Sequence, residues 1–212
     1  MEHENTFVPF PKMARLRRDI LITEKIDGTN AQIVIVPRGT YADGNLFGKP
    51  VADCGDFWIY AGSRNRWVTQ EDDNFGFAGW VQDNKEELVR LGQGRHFGEW
   101  WGRGIQRGYG IQHRRFSLFN ISRWSHPNSI KSLPECCDIV PLLYSGPFST
   151  EATDSALRYL EVAGSRAAPG FMNPEGIAVW HTAANVGFKQ TLKDDGMPKS
   201  LVSNENTSYT RG

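Results

Sequence analysis

The sequence has few cysteines, no long apolar run and no net charge. Its three cysteines, Cys54 and the adjacent pair Cys136 and Cys137, are too few for a disulfide framework, and no Cys or His pairs stand at zinc-finger spacing. No apolar run approaches the roughly 18 residues that a membrane helix needs. Residues 1–10 also lack the basic-then-apolar layout of a secretory signal. We therefore expect reduced thiols, no membrane partner and a cytoplasmic location.

The 24 basic and 24 acidic side chains balance, so the chain lacks the strong positive charge that is common in nucleic-acid-binding proteins. Its basic residues nevertheless cluster in two groups. These are Lys12, Arg15, Arg17 and Arg18, and Arg103, Arg107, Arg114 and Arg115. Such groups suit contact with the phosphates of a nucleotide or a strand. Ordinary solvated surface charge is the alternative interpretation.

Hydrophobic residues make up 39% of the chain and charged residues 23%, which predicts a folded domain. Short apolar stretches separated by turn-forming residues predict strands over 20–22, 31–36, 57–61, 97–101, 116–121, 139–144, 177–180 and 186–192. One predicted helix covers 80–91, and a second begins after Ser149 or Thr150 and ends at Gly164. This pattern predicts an α+β domain with mainly antiparallel sheets flanked by a few helices.

Lys25 lies in the stretch with the strongest chemical signal, residues 23–30, which read TEKIDGTN. An apolar strand precedes it and another strand follows, so one interpretation is a hairpin with an Asp-Gly turn and an exposed lysine. The other is a nucleophile. A lysine amine that burial or cationic neighbours keep neutral can attack the α-phosphorus of a nucleotide and form a phosphoramide. That chemistry also needs phosphate-binding cations and a divalent metal held by carboxylates.

Later segments supply the carboxylates and lysines that this chemistry needs. Glu99 lies inside an aromatic strand, where a carboxylate is costly unless it is paired, hydrogen-bonded or bound to a ligand. Glu175 is followed by glycine at the start of another strand. In the last strand, alternation predicts Lys189, Thr191 and Lys193 on one face. Each pattern is weak alone, but their co-occurrence in this order favours the nucleophile.

These elements resemble the motifs of the covalent nucleotidyltransferase superfamily, which contains ATP-dependent RNA ligases, ATP- and NAD-dependent DNA ligases and mRNA capping enzymes. The Lys-x-Asp-Gly motif matches residues 25–28. The later motifs match 62–64, 97–99, 116–121, 175–177 and the strand around Lys189. The resemblance implies an ATP-grasp-like nucleotidyltransferase ligase core. It assigns residues 1–199 to an adenylyltransferase domain and leaves 200–212 as a polar C-terminal tail.

Position 30 discriminates within the superfamily. DNA ligases and capping enzymes usually carry Lys-x-Asp-Gly-x-Arg, whereas this chain has Asn30. The form Glu-Lys-Ile-x-Gly-Thr-Asn is similar to the nick-sealing phage T4-type RNA ligases, which favours an ATP-dependent RNA ligase. The alternatives are a DNA ligase or nucleic-acid-end adenylating core, and a non-catalytic RNA-end-binding module with the same fold.

The resemblance implies a role for each matching residue. Lys25 is the expected nucleophile, and Glu175 is expected to organise a metal beside it, with Asp27 as a second metal ligand. Lys189 is expected to neutralise the α-phosphate with help from Lys193. The expected nucleotide-binding residues are Glu24, Ile26 and Asn30 at the nucleoside or its phosphate, Arg64 at the ribose or a 5′-phosphate, Glu99 at the ribose hydroxyls, and Phe116 or Phe119 stacked on adenine.

The implied reaction uses ATP with Mg²⁺ or Mn²⁺. Lys25 takes AMP from ATP, AMP passes to an RNA 5′-phosphate, and a 3′-hydroxyl displaces AMP. The expected RNA is a pair of ends or a nicked duplex, contacted by the group from Arg103 to Arg115. Two features depart from the family: Thr191 replaces a common lysine, and only 19 residues follow Lys193. We therefore expect no separate C-terminal domain, and either a minimal ligase or one assisted by a helper protein or RNA-binding subunit.

Overall fold

Two β-sheets form most of the structure, a computed structural model that describes residues 8–39, 48–125, 133–193 and 195. The strands of the smaller sheet are β1 (Asp19–Lys25), β9 (Leu142–Pro147), β10 (Gly176–His181) and β11 (Val186–Thr191). They lie in the order β11-β10-β1-β9, and every neighbouring pair is antiparallel.

The larger sheet has seven strands. They are β2 (Thr29–Pro37), β3 (Ala52–Cys54), β4 (Phe57–Ser63), β5 (Trp67–Val68), β6 (Gly94–Gly102), β7 (Arg114–Leu118) and β8 (Cys137–Ile139). Six follow the order β3-β4-β2-β6-β7-β8, and β5 pairs with β4. The β7–β8 pair is parallel, and the other pairs are antiparallel. The predicted α+β class with mainly antiparallel sheets is confirmed.

The helices are short except for one. They are α1 (Phe77–Asp83), α2 (Lys85–Leu88) with a 3₁₀ turn at Val89–Leu91, α3 (Ile121–Trp124) and α4 (Thr150–Ala163). The prediction for α4 is confirmed, because the Ser149 hydroxyl accepts the backbone N–H of Ala152 and Gly164 ends the helix at a φ of 78°. The predicted single helix over 80–91 is wrong. Its backbone breaks at Asn84, whose side-chain amide donates to the carbonyl of Trp80.

Two predicted strands differ from their apolar patterns, one because it is divided and one because it ends early. The stretch 139–144 is divided between the sheets, because β8 ends at Ile139 and β9 begins at Leu142. Pro141 lies between them and has no N–H to continue a ladder. The stretch 116–121 stops at Leu118 because Asn120 caps the next helix, accepting the backbone N–H of Arg123.

Each sheet packs one face against helices. The larger sheet packs on α1 and α2 through a cluster that includes Ile33, Ile59, Phe77, Leu88 and Trp100. The smaller sheet packs on α4 through Ile20, Ile22, Leu160 and Ile177. Burial of these apolar side chains is the main source of stability. The other faces of the two sheets border a common cleft.

Several expectations about the chain as a whole can be compared with the described residues. All three cysteines are free, and burial raises the pKa of the Cys54 thiol to about 11. Within the described ranges, no helix has both the length and the apolar character to span a membrane. The predicted polar tail, 200–212, lies outside the described residues.

Candidate active site

Strand alternation places Lys25 at the cleft. Thr23 and Lys25 share one face of β1, and their cross-strand partners on β10 are Ala178 and Gly176. The partner of Ala178 on β11 is Lys189. Directly paired residues of antiparallel strands lie on the same face. The register therefore brings Lys189 to the same sheet face as Lys25.

Lys193 is not part of this face. The strand β11 ends at Thr191, so the predicted alternation stops two residues short of Lys193. The Thr191 hydroxyl donates to the carbonyl of Lys193 at 2.8 Å, and the backbone N–H of Thr191 donates to Asp195. The amine of Lys193 is 3.4 Å from the side-chain oxygen of Asn173. The expected helper role of Lys193 is therefore not supported by the strand geometry.

A close ion pair lies at the end of β1. Lys25 Nζ donates to Glu175 Oε2 at 2.6 Å. The Glu175 side chain is 2% exposed, whereas that of Lys25 is 25% exposed and lines the cleft. Gly176 lets β10 and β11 approach closely, because a Cβ at this residue would clash with the carbonyl oxygen of Gln190. The geometry gives the lysine amine one buried carboxylate partner and leaves it accessible from the cleft.

A chain of hydrogen bonds lies on the facing wall of the cleft. The Gly28 backbone N–H and the Asn30 amide donate to the two oxygens of Glu99, at 3.1 and 2.9 Å. The Asn30 oxygen accepts two hydrogen bonds from Arg64, each 3.2 Å long. Three of the predicted nucleotide-binding residues, Asn30, Arg64 and Glu99, are thus joined in one network. Burial raises the pKa of the Glu99 carboxyl from 4.5 to about 7, although these hydrogen bonds and the Lys25 charge oppose the rise.

The cleft between these walls has a volume of about 800 Å³, which is in the usual range for a small-molecule site. Phe119 lines it and is 41% exposed, so its ring is available for stacking. Phe116 does not line it. Its ring is 0% exposed and packs against Phe77 and Trp80 in the core of the larger sheet. The expectation that either phenylalanine stacks on adenine is therefore corrected to Phe119.

Glu24 borders the cleft, but its side chain does not point into it. As the neighbour of Lys25 on a strand, its side chain points to the opposite face. Its buried carboxylate accepts the Ser165 hydroxyl at 2.6 Å and the backbone N–H groups of Arg166 and Ala167 at 2.7 and 2.9 Å. This carboxylate holds the loop after α4, so the predicted nucleotide contact of Glu24 is not supported for its side chain.

Asp27 also has a structural partner. Its carboxylate accepts a hydrogen bond from Arg107 Nε at 2.9 Å, and its backbone N–H donates to the Tyr109 hydroxyl at 2.8 Å. Across the described part of the chain, no group of three or more His, Cys, Asp and Glu residues could hold a metal by itself. The Arg107 pair weighs against the expected role of Asp27 as a metal ligand, which stays a prediction. Ile26 borders the cleft, but its side chain is buried against Trp101 and Tyr109.

The basic group from Arg103 to Arg115 is largely engaged within the fold. Arg115 makes two hydrogen bonds of 2.8 Å to Asp138, and Arg114 donates to the carbonyls of Arg103 and Phe75. Together with the Arg107–Asp27 pair, these contacts leave few guanidinium groups for a strand. These contacts do not support the expectation that the whole group contacts RNA.

Two arginines that the sequence did not single out line the cleft, namely Arg95 and Arg123. Arg95 lies over the rings of Trp67 and Phe97 at 5.5 and 5.8 Å. Side chains on one face of β6 are two positions apart, as are Arg95, Phe97 and Glu99. The position of Glu99 therefore could have predicted that Arg95 also faces the cleft. Arg123 had no such signal, because it lies on α3 beyond the end of a strand.

Comparison with known proteins gives both a family and a fold. The RNA ligase family model matches residues 18–193. None of the curated proteins compared with the chain matches it. A Naegleria gruberi RNA ligase variant with ATP and Mn matches 90% of this chain and 53% of its own, at a TM-score of 0.55 and 17% identity. A second structure, an apo variant of that ligase, matches 91% of this chain and 52% of its own, at a TM-score of 0.55 and 17% identity.

The chain thus spans about half the length of these solved ligases. At such low identity the structural likeness shows the fold alone, which agrees with the mixed α+β architecture. The family model covers most of the chain, including the Lys25 ion pair and the network around Glu99. The chain therefore belongs to the RNA ligase family.

Proposed function

We propose that this chain is an ATP-dependent RNA ligase that adenylylates its own Lys25, transfers AMP to an RNA 5′-phosphate and seals it to a 3′-hydroxyl. The observation that carries the proposal is the Lys25–Glu175 ion pair, 2.6 Å long, facing a cleft whose other wall holds Glu99, Asn30 and Arg64. Family membership supports the ligase class. The Naegleria gruberi structures that contain ATP and Mn support ATP and a divalent metal as the cofactors.

The first step forms a bond between Lys25 Nζ and the α-phosphorus of ATP and breaks the bond from that phosphorus to pyrophosphate. The amine must lose a proton before it attacks, and Glu175 Oε2, its hydrogen-bond partner, is proposed to accept that proton. Lys189, on the same sheet face, is the nearby cation proposed to neutralise the α-phosphate. In the later steps an RNA 5′-phosphate oxygen displaces the lysine, and a 3′-hydroxyl then displaces AMP.

Nucleotide binding is assigned to the facing wall and its neighbours. Phe119 is proposed to stack on adenine, because its ring is exposed in the cleft. Glu99 is proposed to accept the ribose hydroxyls. The carboxylate of Glu175 suits a hard divalent cation, since Mg²⁺ commonly takes one or two carboxylates together with substrate phosphates. Glu175 would hold such an ion, which would supply charge neutralisation at the phosphates.

Asn30 supports RNA ligase over DNA ligase by a structural argument. Its amide donates to Glu99 while its oxygen accepts from Arg64. An arginine at this position has only donors and could not accept from Arg64. The network is thus built for the Asn form of the motif, which is the form that resembles the RNA ligases. The cleft-lining guanidinium groups of Arg64, Arg95 and Arg123 are the proposed contacts for the RNA 5′-phosphate.

Sealing assays test this proposal. Nicked RNA, DNA and hybrid duplexes with a labelled 5′-phosphate are incubated with ATP and Mg²⁺, using the wild type, Lys25→Ala and, as a matched control, Lys49→Ala. Lys49 is an exposed lysine, 77% accessible, that pairs with Glu71. We expect RNA sealing by the wild type and the control but not by Lys25→Ala.

Each alternative gives a different product. Equal or better sealing of DNA would contradict the RNA assignment. A non-catalytic RNA-end-binding module would bind the ends but produce neither adenylylated nor sealed strands. If sealing requires a helper subunit, the chain alone accumulates adenylylated RNA. Addition of the helper protein then converts this RNA to the sealed product.

A further inference from the structure

The loop between β6 and β7 contacts the turn that follows the proposed nucleophile. Arg107, in this loop, uses Nε to donate to Asp27 Oδ2 at 2.9 Å. Its Nη1 donates to the backbone carbonyls of Asn173 and Pro174, at 3.0 and 3.3 Å. One guanidinium group therefore bridges the turn that follows Lys25 and the segment that precedes Glu175.

A second residue of the same loop strengthens the bridge. The Tyr109 hydroxyl accepts the backbone N–H of Asp27, and its buried ring packs against Trp101 and Phe171 at 5.1 and 4.6 Å. Tyr109 has a φ of 51° and Gln106 a φ of 45°. Left-handed backbone at two non-glycine residues costs free energy and persists where surrounding contacts enforce it. The loop thus accepts strain on both sides of Arg107.

The bridge joins parts of the molecule that belong to different sheets. Lys25 ends β1 and Glu175 precedes β10 in the smaller sheet, whereas the loop connects two strands of the larger sheet. The turn at 26–28 is also the link from β1 to β2, where the chain passes from one sheet to the other. A shift of this link would change the direction of the Lys25 amine relative to Glu99 across the cleft.

We infer that Arg107 is a positioning residue for AMP transfer: it fixes the Lys25 turn and the Glu175 segment relative to one another. This inference rests on the proposed self-adenylylation of Lys25. The guanidinium is engaged by three acceptors and is only 26% exposed, so a role in strand contact is disfavoured. A lysine could not replace it fully, because one ammonium cannot reproduce the planar fork that serves Asp27 and the two carbonyls.

The positioning role predicts a specific kinetic defect. Formation of the bond between Lys25 and the α-phosphorus requires the amine to lie in line with the leaving pyrophosphate. A misplacement of about 1 Å at a reacting group lowers the rate on the order of 10²-fold. Arg107 does not line the nucleotide cleft, so ATP affinity should change little. The defect should therefore be in the rate constant of labelling at saturating ATP.

The experiment measures single-turnover labelling of the whole chain with α-labelled ATP and Mg²⁺. The variants are Arg107→Ala, Arg107→Lys and the control Arg103→Ala, which removes an exposed arginine from the same loop. We expect Arg107→Ala to lower the rate constant on the order of 10²-fold, with the final labelled fraction and the half-saturating ATP concentration retained. Arg107→Lys should be intermediate, and Arg103→Ala should match the wild type.

Three results for the variants would overturn the inference. A purely structural role of Arg107 would lower the labelled fraction and the melting temperature but leave the rate constant of the folded molecules unchanged. An equal slowing in Arg103→Ala would indicate a general charge effect. If Arg107→Ala does not fold, the test rests on Arg107→Lys. A wild-type rate constant in Arg107→Lys would contradict the claim that the planar guanidinium is needed. Wild-type protein that takes no label would overturn the proposed function itself, and this inference with it.

Discussion

Replacing Glu99 with glutamine removes a carboxylate that the structure buries at the wall of the cleft. Burial raises the pKa of this group from 4.5 to about 7. At a pH between these two pKa values, Glu99 holds a proton in the folded protein that it has released in the unfolded chain. The stabilisation is therefore fully present below about pH 4.5 and is lost as the pH rises through about 7.

The magnitude follows from the two pKa values. A rise from 4.5 to about 7 corresponds to roughly 3 kcal/mol between the acid and alkaline limits. From pH 5 to pH 8.5 most of this difference, about 2–3 kcal/mol, should be lost by the wild type but not by Glu99→Gln. Glutamine replaces one acceptor oxygen by a donor, as protonation of Glu99 also does, so the two proteins should differ by only about 1 kcal/mol at low pH.

The assay is urea unfolding of both proteins, without nucleotide, at several pH values from 5 to 8.5. The informative quantity is the change with pH in the difference between their unfolding free energies, because the other titrating groups are common to both. We expect Glu99→Gln to gain about 2–3 kcal/mol relative to the wild type over this range. A difference that stays constant with pH would refute the assignment of a raised pKa to Glu99.

Three further predictions concern residues around the cleft. Phe119→Ala should weaken ATP binding by about 1–3 kcal/mol, measured by titration, with little loss of stability, whereas Phe116→Ala should cost about 3–5 kcal/mol of unfolding free energy. Glu24→Ala should destabilise the fold by at least about 2 kcal/mol in urea, since the Ser165 hydroxyl and two backbone N–H groups lose their acceptor. Gly28→Ala should lower stability by about 1–3 kcal/mol in thermal unfolding, because its Cβ would lie 2.5 Å from the carbonyl oxygen of Trp100. Unchanged ATP affinity in Phe119→Ala, or wild-type stability in Phe116→Ala, Glu24→Ala or Gly28→Ala, would contradict the contacts described.

Local sequence patterns predicted the parts of the site that depend on local structure. The strand, turn and strand around Lys25 follow from apolar runs on either side of Asp-Gly, and the register then brings Lys189 to the Lys25 face. Strand alternation also predicts the direction of the Glu24 side chain, which the motif resemblance does not. Because Glu24 adjoins Lys25 on a strand, its side chain must point to the opposite face.

Contacts between distant segments could not be predicted in the same way. The Arg107–Asp27 pair joins residues 80 positions apart, and a basic cluster in the sequence does not show which acceptors the fold supplies. The burial of Phe116 depends on the helix that packs over β7, and the strand end before Phe119 depends on the Asn120 cap. Tertiary packing, rather than residue type, separates the buried ring from the exposed one.

The central claim is that Lys25 becomes covalently attached to AMP. The most direct measurement incubates the protein with α-labelled ATP and Mg²⁺, denatures it and maps the label by peptide mass spectrometry, with Lys25→Ala and Lys49→Ala in parallel and with GTP and NAD as alternative donors. The account predicts denaturation-resistant label from ATP on the peptide that contains Lys25, present in Lys49→Ala and absent in Lys25→Ala. Label that persists in Lys25→Ala, or no label in the wild type, would contradict it.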